Sequence, residues 1–378
     1  MEGGVRKRGN SWYYYFEAGK VNGKRKKIER KGGSTKKEAL EALRKALNEF
    51  NASGSIASES NMSFSDYMDY WFKEYVDINC KYNTKQCYII LINKHIKPQL
   101  GMYKLKQLSY TALQQFLNSK YKNGYSKSTL NRFKSILCTS LKMAVFNYEL
   151  IKVNPAENLN IPSYGNKNKE EIKTLTLDQY NTILKRFPFG SSFYMALQIA
   201  FNTGMRCSEV CGLTWDCVDL ENKKITVDRI LIWKQKAGYV FETPKTKSSY
   251  RTISIGDTLV ELLKKNKEWQ NQNRQDYGKY YTENNFVCTK ENGKNITPTT
   301  IRYLSKIVNV DLGIEFSFHS LRHTHATLLL ENGSNIKEIQ QRLGHSKIAT
   351  TLDTYSHVTK KMIDNTVSIL EDINSKLI

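Results

Sequence analysis

No stretch of this chain is apolar enough to cross a membrane. A spanning helix needs about 18 or more consecutive apolar residues, and no run of that length occurs in the 378 residues. The opening MEGGVRKRGN leads into an aromatic segment and not into the apolar centre of a secretory signal, so the expected location is the cytoplasm. Acidic residues are scarce: 36 Asp and Glu face 58 Lys and Arg, a formal net charge of +22. The imbalance does not specify a fold. It predicts attraction to a polyanion, nucleic acid first, with a merely lysine-rich protein as the alternative on charge alone. The cysteines lack the spacing of a disulfide framework or a zinc site. Cys80, Cys87, Cys138, Cys207, Cys211, Cys217 and Cys288 are odd in number and irregularly placed, which points to reduced packing residues. No internal repeat is evident.

What is present divides into three parts, as expected at about 100–200 residues per domain. Ser11–Ala18 and Lys26–Arg30 have the character of strands, separated by Val21-Asn22-Gly23-Lys24, a strong hairpin signal. Ser34–Phe50 reads as a helix, with Ala39, Leu40, Leu43, Ala46, Leu47 and Phe50 at helical spacing. Residues 1–50 hold 14 Lys and Arg against 6 Glu, and Trp12, Tyr13, Tyr14 and Tyr15 interleave with the basic residues. A small basic sheet backed by a helix suits the DNA major groove; a solvated charged face is the plainer alternative. Asn51–Asn61 reads as a linker. Residues 62–160 are helical by pattern, with turns marked by Pro98, Gly101 and Asn123-Gly124, an end at Asn154-Pro155, and Lys122, Lys127, Arg132 and Lys134 as a candidate basic face. Pro162–Lys173 reads as a second linker. The remainder starts with helices over Leu175–Phe187 and Phe193–Met205. Strand-like runs follow at Lys224–Lys234, Tyr239–Thr243 and Ser249–Ile255, and then helices again.

Chemistry-bearing residues concentrate in this last part. Arg206 opens a helix after Gly204 and shares a face with Glu209; alone, the pair is an ordinary salt bridge. Lys245 and Lys247 sit in Pro244–Arg251, read as a hairpin tip or loose turn. His319 and Arg322 lie three residues apart at a helix end. His319 and His323 also have the spacing of a zinc pair, but no Glu stands beside them to serve as a metalloprotease base. Gly344 ends a helix over Ile336–Leu343, Ser346 caps a short next one, and Tyr355 follows His345 by ten residues. Arginines match the oxygens of a phosphodiester, a tyrosine can attack phosphorus, and a lysine can protonate the leaving oxygen. Such a set carries its own positive charge and requires neither metal nor cofactor.

The order Arg…Lys…His-x-x-Arg…Leu-Gly-His…Tyr resembles the tyrosine recombinase family. The segments TGMRCSEVCGLTW, HSLRHTHAT and LGHSKIATTLDTYSHV are similar to integrases of Gram-positive phages and conjugative transposons, and the resemblance spans the whole chain. It implies a mainly α fold with small β-sheets in three domains. These are an arm-site DNA-binding domain over 1–55, with a three-stranded sheet and a helix; a helical-bundle core-binding domain over 62–160; and a mixed α/β catalytic domain over 170–378 with a C-terminal tail helix. It implies that Arg206 and Arg322 hold the scissile phosphate, that Lys245 (or Lys247) protonates the 5′ oxygen, and that His319 acts as acid/base or orienting partner. His345 would hydrogen-bond the phosphate, Tyr355 would attack it, and Glu209 would support Arg206. The implied partners are double-stranded DNA at core and arm sites, a homotetramer on DNA, an excisionase and a host DNA-bending protein. The tail, with Met362, Ile363, Val367, Leu370, Ile373 and Leu377 on one face, would dock on a neighbouring protomer or on its own domain. A non-catalytic DNA-binding regulator and a topoisomerase that also forms 3′-phosphotyrosines are the alternatives.

Overall fold

A computed structural model describes residues 3–21, 24–53, 62–162, 173–244 and 246–348. The chain forms two compact units, Met1–Lys167 and Asn168–Ile378. The architecture is mainly helical with small sheets, in the multidomain arrangement expected.

In the first unit, β1 (Gly3–Arg8), β2 (Ser11–Val21) and β3 (Lys24–Gly33) form an antiparallel sheet in that order. β1 escapes pattern reading because Val5 is its one large apolar side chain; it pairs from Gly3 opposite Phe16 to Arg8 opposite Ser11. Val21 pairs with Lys24, and the Asn22-Gly23 turn lies outside the described residues. Alternation along β2 turns Tyr14 and Phe16 onto Leu43 and Ala46 of α1 (Lys36–Ser53). Tyr13 and Tyr15 take the other face, where Arg8 lies 5.9 Å from the Tyr13 ring centre and Lys27 3.9 Å from that of Tyr15. The helix runs to Ser53, so Asn51–Ser53 belong to it and not to a linker. An established helix adds a bond per residue at little cost, even through polar residues.

The same unit holds helices α2 (Phe64–Trp71), α3 (Asp77–Asn79), α4 (Tyr82–Leu91), α5 (Lys97–Leu100), α6 (Tyr110–Lys122) and α7 (Lys127–Phe146). Ser63, Ser109 and Ser126 cap α2, α6 and α7 by accepting from the main-chain N–H groups of Asp66, Ala112 and Thr129. Their apolar faces meet in a core that includes Phe64, Tyr67, Trp71, Leu130, Phe133 and Leu137. Two turn signals mislead. Pro98 lies inside α5, which continues from α4 through a π turn at Ile92–Ile96; proline cannot donate, and the wider turn absorbs the missing bond. α7 ends at Phe146, before Asn154-Pro155, because Glu149 turns left-handed (φ 50) and Leu150 N–H closes onto the Ala144 oxygen at 2.8 Å.

The second unit contains α8 (Leu177–Arg186), α9 (Tyr194–Thr203) and α10 (Cys207–Cys211), then five short strands. β4 (Val218–Asp219), β5 (Lys224–Val227) and β8 (Arg251–Ser254) form one antiparallel sheet, while β6 (Ile230–Lys234) and β7 (Gly238–Glu242) pair separately. The run Lys224–Lys234 is thus two strands in two sheets. It breaks at Asp228-Arg229, where Arg229 donates to Asp228 at 2.8 and 2.9 Å. Pro244–Arg251 is accordingly no hairpin tip but the link from one sheet to the other. Helices α11 (Asp257–Tyr277), α12 (Pro298–Asp311), α13 (Phe318–Glu331) and α14 (Ile336–Leu343) complete the described part. The helix expected after Ser346, Tyr355 and the tail helix lie outside it. No described helix is long and apolar enough to cross a membrane.

Candidate active site

The site begins where α9 stops. Gly204 adopts φ 67, which ends the helix and turns the chain into Arg206. A helix end leaves carbonyl oxygens without partners, and here they are taken by side chains from α13 and α14. His325 Nδ1 donates to Phe201 O at 2.8 Å, Arg342 Nη2 to Asn202 O at 2.9 Å and Arg322 Nη1 to Gly204 O at 2.7 Å. Arg342 Nε also donates to His325 Nε2 at 3.0 Å, so the imidazole carries its proton on Nδ1. The backbone entering Arg206 is thereby fixed.

Arg206 caps the N-terminus of α10. Its main-chain N–H reaches Glu209 Oε2 at 2.8 Å, and its Nη1 reaches Oε1 at 2.8 Å. Glu209 is 2% exposed and has a second arginine, Arg251, whose Nη2 and Nη1 stand 2.9 and 3.3 Å from Oε2 and Oε1. Burial alone would raise the Glu209 carboxyl; Arg251 and then Arg206 outweigh it and hold the group below the usual carboxylate range. Arg206 keeps 34% of its side chain exposed, so one flank grips the carboxylate and the other is open.

Arg322 is buried at 1% exposure, and its Nη2 donates to Leu343 O at 2.7 Å. Two main-chain carbonyl oxygens, those of Gly204 and Leu343, thus hold its guanidinium in place. Gly344 (φ 68) ends α14 and delivers His345. His319 stands at the start of α13, and its ring meets that of His323 edge-on at 4.6 Å. Desolvation lowers both His319 and His345 to about 4. The charges of Arg322 and Arg206 act on both rings in the same direction. Both imidazoles are therefore neutral at pH 7, close enough to the two arginines to sense them.

Four of the six residues singled out from sequence, Arg206, His319, Arg322 and His345, converge electrostatically in this one unit. Lys245 and Tyr355 lie outside the described residues. Lys247 is exposed in a single turn, Lys247–Ser249. Among the described residues, no group of three or more His, Cys, Asp or Glu is placed to hold a metal. Sequence reasoning passed over Arg251, Arg342 and His325 as parts of the site. The signal for Arg251 was its position two residues before Ile253, on the inward side of a strand, where a charge needs a partner inside.

The surroundings suit a phosphodiester: cations on separate helix ends, one buried carboxylate and neutral imidazoles. The pattern of the family described as "Phage integrase family" matches residues 173–362, that of "Phage integrase, N-terminal SAM-like domain" matches 63–121, and that of "Arm DNA-binding domain" matches 5–50. The chain is 30% identical over 357 residues to a "Tyrosine recombinase XerC-like" protein of Caldanaerobacter subterraneus subsp. tengcongensis, covering 90% of each. It is 27% identical over 345 residues to the ICEBs1 integrase of Bacillus subtilis, covering 90% of this chain and 91% of that one. Among solved structures, the Tn1549 transposon integrase in complex with transposon right end DNA superposes with a TM-score of 0.67 at 25% identity, over 82% of this chain and all of that fragment. A lambda integrase dimer bound to a core site shares the fold at TM-score 0.58 and 19% identity, over 78% of this chain and 95% of that one.

Proposed function

Since the chain belongs to the phage integrase family of tyrosine recombinases, we propose that it is a site-specific DNA recombinase that integrates and excises a mobile element or prophage. In this reading Tyr355 Oη attacks the scissile phosphorus, the bond from phosphorus to the 5′ oxygen breaks, and a 3′-phosphotyrosine forms. The tyrosine gives up its proton to a nearby base, with His319, neutral at pH 7, the candidate. The 5′ oxygen gains a proton from Lys245, or from Lys247 if the loop places that residue closer. Arg206 and Arg322 stabilise the charge on the non-bridging oxygens, and His345 donates a hydrogen bond to one of them. Religation reverses the step with a new 5′ hydroxyl, so bond energy is conserved and no cofactor is consumed. Cleavage is expected to persist in chelator, because arginines supply the positive charge.

The observation that carries this reading is that Arg322 is bonded to Gly204 O, two residues before Arg206 in the chain, so that one arginine gripped by a buried carboxylate and one gripped by carbonyl oxygens are held from the same turn. Residues 1–55 are proposed to read arm sites, 62–160 to hold the core site, and 170–378 to cut. A homotetramer on DNA, aided by an excisionase and a host DNA-bending protein, would complete the reaction in the cytoplasm. The test is a nicked suicide duplex carrying a candidate core site. A covalent protein–DNA adduct is expected, and Tyr355→Phe should abolish it. DNA binding without any adduct would instead indicate a non-catalytic regulator, and relaxation of supercoiled plasmids without site preference a topoisomerase.

A further inference from the structure

Arg251 is 6% exposed at its side chain and touches α10, the end of α14 and the loop before β8. Its Nη2 and Nη1 hold Glu209. Its Nε donates to Arg342 O at 2.6 Å, at the end of α14, and its Nη1 also donates to Ser249 O at 3.1 Å, in the loop that follows residues 245 and 247. Its Cδ lies 3.2 Å from where a Cβ on Gly344 would be, just before His345. Arg342 answers in the opposite direction by donating from Nη1 to Ser254 O at 2.9 Å. Two arginines thus staple β8 to α14.

Charge gives this geometry a consequence. Glu209 is shared by Arg206 and Arg251, so the trio carries one net positive charge. Removing Arg251 leaves Arg206 and Glu209 as a neutral pair, with the one-third exposed Arg206 held to the carboxylate by itself. We infer that Arg251 is a positioning residue for strand cleavage: by taking its share of Glu209, it leaves the charge of Arg206 available to the scissile phosphate. This rests on the recombinase reading above.

The experiment is single-turnover cleavage by the full-length chain on two nicked suicide duplexes. One carries an ordinary scissile phosphate, and the other carries a methylphosphonate with no non-bridging charge to neutralise. Arg251→Ala at saturating DNA is expected to cleave the phosphate about 10- to 100-fold more slowly than wild type, as for losing a charge-assisted pair. Its Kd for core DNA should stay within about 3-fold, since Arg251 is shielded from solvent. On the methylphosphonate the deficit relative to wild type should shrink to less than about 3-fold, because the charge that Arg206 must meet is gone. Arg251→Lys keeps the charge without the fork and should fall between the two. Equal deficits on both duplexes, or no deficit on either, would overturn the inference, as would a cleavage loss explained by weakened DNA binding. If Arg251→Ala melts too low to assay, Arg251→Lys and Arg251→Gln are compared with the same criteria. Absence of an adduct from wild type overturns the recombinase reading and this inference together; a wild-type adduct with unaffected Arg251 variants overturns this inference alone.

Discussion

Arg322 donates to the main-chain oxygen of Leu343 at 2.7 Å, and the same guanidinium donates to Gly204 O at 2.7 Å. The ends of α9 and α14 are therefore tied by a residue also proposed to hold the phosphate. Arg322→Lys keeps the charge but cannot span both oxygens. A stability loss of about 2–4 kcal/mol is expected, because a buried cation would lose a carbonyl partner. Arg206→Lys, at a one-third exposed position, should cost only about 1 kcal/mol. Urea denaturation of the two variants checks this; equal losses would contradict the double role of Arg322.

Gly344 is demanded twice. Its φ of 68 suits glycine, and a Cβ there would stand 2.7 Å from Ser248 O and 3.2 Å from Arg251 Cδ. Gly333 has φ 82 but open space where its Cβ would go. Gly333→Ala should then cost about 1 kcal/mol, the conformational part alone, and Gly344→Ala about 2 kcal/mol or more, with added clash. Thermal melts of both variants separate the two contributions; a Gly333→Ala loss as large as that of Gly344→Ala would contradict the clash.

Much of this was legible beforehand, and the residues show why. Gly344 and the helix Ile336–Leu343 could be read because cap chemistry is local. His319 and Arg322 could be placed on one helix face by spacing alone. Strand β1 could not, since Gly-Gly-Val-Arg-Lys-Arg shows no alternation and is defined by its partner, β2. The division of Lys224–Lys234 between two sheets depends on pairing with β8 and β7, far along the chain. Arg251 and Arg342 were missed for a related reason: their partners, the Glu209 carboxylate and several main-chain oxygens, lie far away in the chain.

The pH dependence of stability follows from His325. It is lowered from 6.5 to about 4, chiefly by desolvation and then by Arg342, and the Phe201 carbonyl bond opposes this only in part. The unfolded chain then binds a proton below about 6.5 that the folded chain refuses until about 4. Stability from this group is complete above 6.5 and is lost as the pH falls from there towards 4. His345 acts in the same window and with the same sign. The melting temperature should hold from pH 8 to 7 and fall steadily between about 6.5 and 4.5. His325→Asn should lower the melting temperature at pH 7.5 and flatten the fall. An unaltered slope in the variant would show that His325 is not the group responsible.

The identity of the general acid can be decided chemically. Lys247, itself exposed, opens the turn Lys247–Ser249, and Lys245 precedes it by two residues. A lysine that protonates the 5′ oxygen is unnecessary when that oxygen is replaced by sulfur, since a thiolate leaves without a proton. On an ordinary suicide duplex, Lys245→Ala is expected to slow cleavage by about 10²- to 10⁴-fold, the usual range for a lost general acid. On a duplex with a 5′-bridging sulfur, most of that loss should disappear. Lys247→Ala should remain within about 3-fold of wild type on both, its contribution being one screened charge near the DNA backbone. Sulfur rescue of Lys247→Ala in place of Lys245→Ala would exchange the two assignments. A Lys245→Ala defect that sulfur does not relieve would give that residue a phosphate-binding role, alongside Arg206 and Arg322.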